Sequence, residues 1–214
     1  LPVFLAMGMP PHYAIGTNKF AATFGSGIST VQFMRAGKVD TGLMKKLVPF
    51  TFIGAVLGCL LMLHMSAAVL QPLVIAALVA VAIFVFSRRD LGAASTYTAV
   101  AFAFAIGIYD GFIGPGTGTF LIIAFAMIGF DFVVAAGNAK VLNFVSNVTA
   151  FCLFIYSGKV LYAYGLTMAL GIFIGAFFGS RMAIRRGSGF VRVVMMTVTT
   201  LLIGKLILQY LGLF

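Results

Sequence analysis

Asp110 is the residue around which the chain's chemistry is most readily built. It lies in Tyr109-Asp110-Gly111-Phe112-Ile113-Gly114-Pro115-Gly116-Thr117-Gly118-Thr119-Phe120, a run in which four glycines and a proline interrupt an apolar stretch. Irregular backbone at membrane depth is tolerated where it lines a cavity or is buried in protein. A helix starting near Thr117 would present free N–H groups and the positive end of its dipole, which suits an anion, and Thr117, Gly118 and Thr119 would form its first turn. An ionisable group at such depth is costly and is by default a functional candidate. Asp110 could carry a coupling proton, cap a helix end or pair with a nearby lysine.

Two further constellations centre on lysine. One reads Gly16-Thr17-Asn18-Lys19, followed by Gly25-Ser26-Gly27-Ile28-Ser29; the other reads Gly137-Asn138-Ala139-Lys140, followed by Asn143 and Ser146-Asn147. At helical spacing Lys140, Asn143 and Asn147 share a face, as do Lys19, Thr23 and Ser26. A cation followed by small donors suits an oxyanion, because the ammonium neutralises charge while amides and hydroxyls replace water. The candidate anion-binding set is therefore Asn18, Lys19, Ser26, Thr117, Gly118, Thr119, Asn138, Lys140, Asn143, Ser146 and Asn147, with Asp110 as candidate proton carrier. Snorkelling lysines and interhelical polar glue would give the same pattern without a ligand.

The elements that hold these residues must lie in lipid. Of 214 residues 62% are hydrophobic and 8% charged, the mean hydropathy is +1.16, and the acids are Asp40, Asp90, Asp110 and Asp131 with no glutamate. A soluble surface needs about 25% charged residues. The net charge of +10 does not point to nucleic acid, because the basic residues cluster between apolar segments at Arg35–Lys46, Arg88-Arg89 and Arg181–Arg192. That is the positive-inside pattern, and it puts loops 35–46, 88–94 and 184–190 in the cytoplasm. Spans are predicted at 14–34, 42–64, 67–87, 95–113, a shorter 117–129, 133–157, 161–183 and 190–212. The opening Leu1-Pro2-Val3-Phe4 reads as the middle of a hydrophobic element. Cys59 and Cys152 lie in apolar runs and read as core residues, and His12 and His64 are too far apart to suggest a metal site. No cofactor is implied.

An internal repeat organises the chain. At an offset of 121 residues, the distance from Gly16 to Gly137, eleven of 43 positions are identical, among them Lys19 with Lys140, Gly37-Lys38-Val39 with Gly158-Lys159-Val160, and Gly54-Ala55 with Gly175-Ala176. Composition alone would give about four matches. The two Gly-Lys-Val corners fall on opposite sides of the membrane under the charge-based orientation, which makes the copies inverted. The fold expected is an all-α integral membrane bundle of two inverted repeats with broken or half-helices. Residues 1–66 form the first repeat without its leading helix, 67–94 a connecting helix and loop, and 95–214 the second repeat with a terminal helix. Gly54-Ala55-Val56-Leu57-Gly58 and Gly175-Ala176-Phe177-Phe178-Gly179 are read as packing surfaces.

These motifs, with Arg35-Ala36-Gly37-Lys38-Val39-Asp40 and Gly179-Ser180-Arg181-Met182-Ala183, resemble the sulfite exporter TauE/SafE family, the TSUP transporters, over nearly the whole chain. Members usually open with a helix carrying a Gly-rich turn. The resemblance implies movement, with export the expected direction, of sulfite, sulfonates or related organosulfur or organic anions across a bacterial inner membrane. The partners expected are a small anionic substrate and the bilayer, with a homodimer among the assemblies left open. A passive anion channel would share the same lining. A membrane-embedded enzyme is disfavoured, because the acids are scattered and neither histidine has an evident nucleophile partner.

Overall fold

The computed structural model describes residues 4, 7–66, 96–114 and 116–210. The expected 67–87 span and 67–94 connector lie outside them, and so does Pro115. Among the described residues every long element is helical: α1 Pro11–Arg35, α2 Thr41–His64, α3 Thr96–Phe112, α4 Thr117–Met127, α5 Phe132–Tyr156 and α6 Tyr162–Tyr210. Thr41–His64, Phe132–Tyr156 and Tyr162–Val194 are long and apolar enough to cross a membrane. Their outward residues suit lipid, with Phe52, Ile53, Leu57 and Leu61 exposed on α2 and Leu166, Leu170, Ile174 and Phe178 on α6.

The sequence repeat is reproduced in local structure. α1 and α5 each have 25 residues, and both ends of α5 lie 121 residues beyond those of α1. Each closes in the same way, with a glycine at positive φ (Gly37 +64°, Gly158 +65°) and the next N–H reaching back to a phenylalanine carbonyl: Lys38 to Phe33 at 2.9 Å and Lys159 to Phe154 at 3.0 Å. This is the Schellman closure, for which glycine is suited because a Cβ disfavours the left-handed region. Each corner then docks on the other repeat. Thr17 Oγ1 accepts from the Leu161 N–H at 3.0 Å, and Asn138 Oδ1 accepts from the Asp40 N–H at 2.9 Å. Thr17 and Asn138 are equivalent under the 121-residue shift, and so are Asp40 and Leu161.

Glycine also sets how closely α2 and α3 approach. A Cβ on Gly54 or Gly58 would strike the α3 backbone at Phe104, Ile108 and Phe112, and one on Gly107 or Gly111 would strike the α2 backbone at Thr51 and Ala55. The α3–turn–α4 hairpin is thereby wedged into the bundle. Ala103, Ile106, Leu121 and Phe125 pack on Met44 and Leu47 of α2 and on Ala135, Ala139 and Leu142 of α5. α4, with 11 residues, is about 16 Å long, half the thickness of a bilayer's apolar core, as the half-helix expectation required.

The predicted loop 184–190 narrows to a single-residue break between two helical segments. α6 runs through it and breaks at one residue, Gly187, with φ 77° and ψ −170°. A single glycine in an extended, positive-φ conformation turns the chain without the polar linker that the arginines suggested. Ser188, next to the break, donates to Asp131 Oδ1 at 2.8 Å, and Asp131 also caps α5 by accepting from the Val133 and Val134 N–H groups. Burial acts to raise the Asp131 carboxyl, but the Ser188 hydroxyl, the two N–H groups and nearby Lys38 outweigh it and hold the group below its usual range. A depressed folded value means that the stabilisation is complete above the ordinary value of 3.8 and is lost as pH falls through the folded value. The melting-temperature gap between wild type and Asp131→Asn should therefore be constant near neutrality and close below pH 3.8. A gap that persists unchanged at lower pH would refute the assignment.

Candidate functional site

Asp110 occupies the last turn of α3 and is 1% exposed. Its carboxylate collects donors from four directions. Lys19 of α1 forms an ion pair with Oδ1 at 2.8 Å, with the two side chains 1% and 2% exposed. Thr117 Oγ1, on the first residue of α4, lies 3.1 Å from the same oxygen. Oδ2 accepts from Asn143 Nδ2 at 2.9 Å and from the Ser146 hydroxyl, both on α5. Four helices thus converge on one carboxylate, and the helix of α4 begins against it. The anion that the half-helix N-terminus meets is the chain's own.

The turn between α3 and α4 makes this possible. Gly114 and Gly116 both have positive φ, 84° and 82°. A Cβ on Gly114 would lie 2.6 Å from both Asp110 Oδ1 and Lys19 Nζ, so glycine is needed there for space as well as conformation. The pair forms in the interior because each charge offsets the desolvation of the other, and the amide and hydroxyls satisfy the remaining lone pairs.

The structure therefore brings Lys19, Asp110, Thr117, Asn143 and Ser146 of the candidate set into one cluster. Asn147 is buried one turn beyond Asn143. Asn18, half-buried beside Lys19, is not among the carboxylate's donors. Ser26 and Asn138 are engaged elsewhere by their own hydrogen bonds. Ser26 donates to the Ala22 carbonyl of its own helix at 2.7 Å, because a serine in mid-helix finds the carbonyl one turn back first. Asn138 is committed through its Oδ1 to the corner at Asp40 and is fully buried, a role set by the repeat contact.

Lys140, the counterpart of Lys19, is placed differently. It lines a cavity of about 460 Å³ with Ser29 and Phe33 of α1, Thr119 of α4 and Ala176, Ser180 and Ala183 of α6, among others. Thr30 Oγ1 donates to the Lys140 backbone carbonyl at 2.9 Å, tying α1 to α5 at this level. Gly118 faces open space at its Cβ direction. Ser29 and Ser180 were outside the candidate set. Ser180 appeared only within the late Gly179-Ser180-Arg181 motif, and nothing in its local spacing set it apart from a packing residue.

The description of the sulfite exporter TauE/SafE family matches residues 1–206. The chain is 36% identical to the "Probable membrane transporter protein ORF9" of Sinorhizobium sp over 97% of its own length and 82% of that protein's. It is 33% identical to the "Probable membrane transporter protein YfcA" of Escherichia coli K12, over 97% of its length and 80% of the relative's. A "Probable membrane transporter protein" of Haemophilus influenzae is 29% identical over 97% of this chain and 84% of its own length. No solved structure matches. The chain belongs to the sulfite exporter TauE/SafE family of membrane transporters.

Proposed function

We propose that this transporter is a proton-linked carrier of small oxyanions, with sulfite and small sulfonates as the substrate class, in a bacterial inner membrane. The observation that carries the reading is the buried Lys19–Asp110 pair with Thr117, Asn143 and Ser146 around it, at the start of a half-helix. Protonation of Asp110 removes its charge and leaves the Lys19 ammonium, the Asn143 amide, two hydroxyls and the α4 N-terminus facing a position that requires an anion. A substrate oxyanion meets that requirement, and when it departs Asp110 releases its proton to the same side and pairs again with Lys19. Proton and anion then share one set of donors, which is a physical basis for coupling. Export is the direction proposed, in keeping with the description of the family that the chain matches. The transporter names of the relatives and the use of every site donor on a single carboxylate favour transport over catalysis.

The two repeats, divided as 1–66 and 95–214, are proposed to be inverted and to alternate access by moving against each other. Thiol labelling from each side of right-side-out and inverted vesicles tests this, with Lys38→Cys and Lys159→Cys expected to react from opposite sides. Reaction of both from the same side would sink the inversion.

Proteoliposomes given an imposed proton gradient test the function. Sulfite or a small sulfonate should accumulate beyond its own electrochemical equilibrium. Asp110→Asn, which keeps the shape and loses the titration, should abolish the gradient dependence. Flux that stops at equilibrium in the wild type would instead identify a passive anion channel.

A further inference from the structure

The two corners that dock one repeat on the other are built alike and differ at the side chain that holds them. The Lys159 carbonyl rests on Gly16 and the Lys38 carbonyl rests on Gly137, so closely that a Cβ on either glycine would strike it. The 121-residue shift exchanges these partners, Gly16 with Gly137 and Lys38 with Lys159. Each corner lysine also answers to the helix beneath it. The Lys159 ammonium lies over the Tyr13 ring at 4.9 Å, and the charge of Lys38 acts on Asp131, the cap of α5. One residue beyond each glycine stands the acceptor that holds the corner. Thr17 Oγ1 takes the Leu161 N–H, and Asn138 Oδ1 takes the Asp40 N–H. Beside its oxygen Thr17 carries a methyl, which packs toward Gly165 of α6. Beside its oxygen Asn138 carries an amide nitrogen, which is buried and meets no acceptor among the described residues.

We propose that Asn138 is a built-in release for the corner at Asp40, so that this corner opens more readily than the one held by Thr17. While the corner is docked, the Asn138 oxygen is bonded and its NH2 is stripped of water without a replacement. When the corner lifts, both ends of the carboxamide hydrate, which recovers that loss. The Thr17 methyl gains by staying buried and gives its corner no such release. A buried donor without an acceptor is costly enough to change the frequency of opening by about tenfold. The proposal rests on the reading that the two repeats alternate access, and it gives that motion an order. Asp40 ends the basic Arg35–Asp40 stretch, which the distribution of charge places on the cytoplasmic side. A transporter whose cytoplasmic corner releases first rests open to the cytoplasm, where an exporter loads its anion.

Cysteines at the paired corner valines test this. Val39→Cys and Val160→Cys, counterparts under the shift, are each placed in a Cys59→Ala/Cys152→Ser background and labelled with membrane-permeant N-ethylmaleimide. Asn138→Thr installs the acceptor of the other corner. It should slow labelling of the Val39→Cys thiol by about tenfold and leave that of Val160→Cys unchanged. Thr17→Asn makes the opposite exchange and should speed labelling of the Val160→Cys thiol by a similar factor. In the chain without reporter cysteines, Asn138→Thr should raise the melting temperature and lower the turnover of transport. A role in packing alone would not move those two in opposite directions. Val39→Cys labelling that is unchanged or faster with Asn138→Thr would overturn the proposal, as would Val160→Cys labelling that Thr17→Asn leaves unchanged. The exchange at Thr17 decides the matter if Asn138→Thr does not fold. Labelling rates and melting are read without transport, whereas the inversion is read from the sidedness of Lys38→Cys and Lys159→Cys, so failure of one reading is distinguishable from failure of the other.

Discussion

Asp110→Ala is expected to destabilise the protein by about 3–5 kcal/mol, because it leaves the ammonium of Lys19 buried and unpaired. The alanine also removes the acceptor of the Asn143 amide, which is left an unsatisfied donor, whereas the Ser146 hydroxyl keeps the Asn143 carbonyl as an acceptor at 3.1 Å. The physical signature lies in the double variant. Lys19→Met with Asp110→Asn keeps volume and an acceptor but holds no charge, and it should recover most of the loss, since an uncharged replacement of a buried ion pair is often neutral. Transport should stay absent in both, because the group that titrates is gone from each and the double variant also lacks the ammonium. Thermal melting in detergent, followed by fluorescence size exclusion, separates the two effects. If Asp110→Ala melts with wild type, the ion pair is not the centre of the interior. If the double variant transports, the cluster is structural only.

The second large effect is expected at the α2–α3 crossing. Gly58→Val places a branched side chain against the Ile108 carbonyl and the Phe112 N–H, which are backbone atoms that cannot rotate away. Overpacking of a rigid site costs about 1–3 kcal/mol and more where backbone must move. Moving α3 also moves Asp110, so Gly58→Val should lose transport as well as stability, and even Gly58→Ala should show part of both. Gly118→Ala, whose Cβ enters open space, is the control and should melt within about 0.5 kcal/mol of wild type. Comparable losses at both positions would mean that general helix propensity, rather than the crossing, sets the cost. Melting and uptake measured on the same preparations decide between them.

Much of this architecture is legible in one dimension. The offset that aligns Lys19 with Lys140 also aligns the ends of α1 and α5, because a repeated pattern of glycines and apolar residues repeats the same local solutions. The Gly-Lys-Val corners are cases of this. A glycine after a helix, followed by a residue whose N–H reaches back to a phenylalanine carbonyl, is a local structure that a local pattern encodes. The break at Gly114–Gly116 and the short α4 follow from the same kind of reading. The arginine-rich stretch at 181–192 marks where the chain breaks but not how short the break is, because a helix can carry arginines up to its own kink at Gly187.

The site divides along the same line. Asp110, Lys19, Thr117, Asn143 and Ser146 are recognisable as polar residues too costly to bury without purpose, and their types alone point to anion chemistry. That they surround the carboxylate of Asp110 could not be read from spacing, because Lys19 and Asp110 are 91 residues apart and only the packing of the helices brings them within 2.8 Å. The same holds for Asn138, which stands two residues from Lys140 in sequence but is bonded to the Asp40 corner, 98 residues away. Residence in the membrane, the helices and the repeat rest on composition and near-neighbour pattern, which the linear chain carries. Which lysine pairs with Asp110, and which lines a cavity, rests on contacts between distant segments, which exist only once the helices have packed.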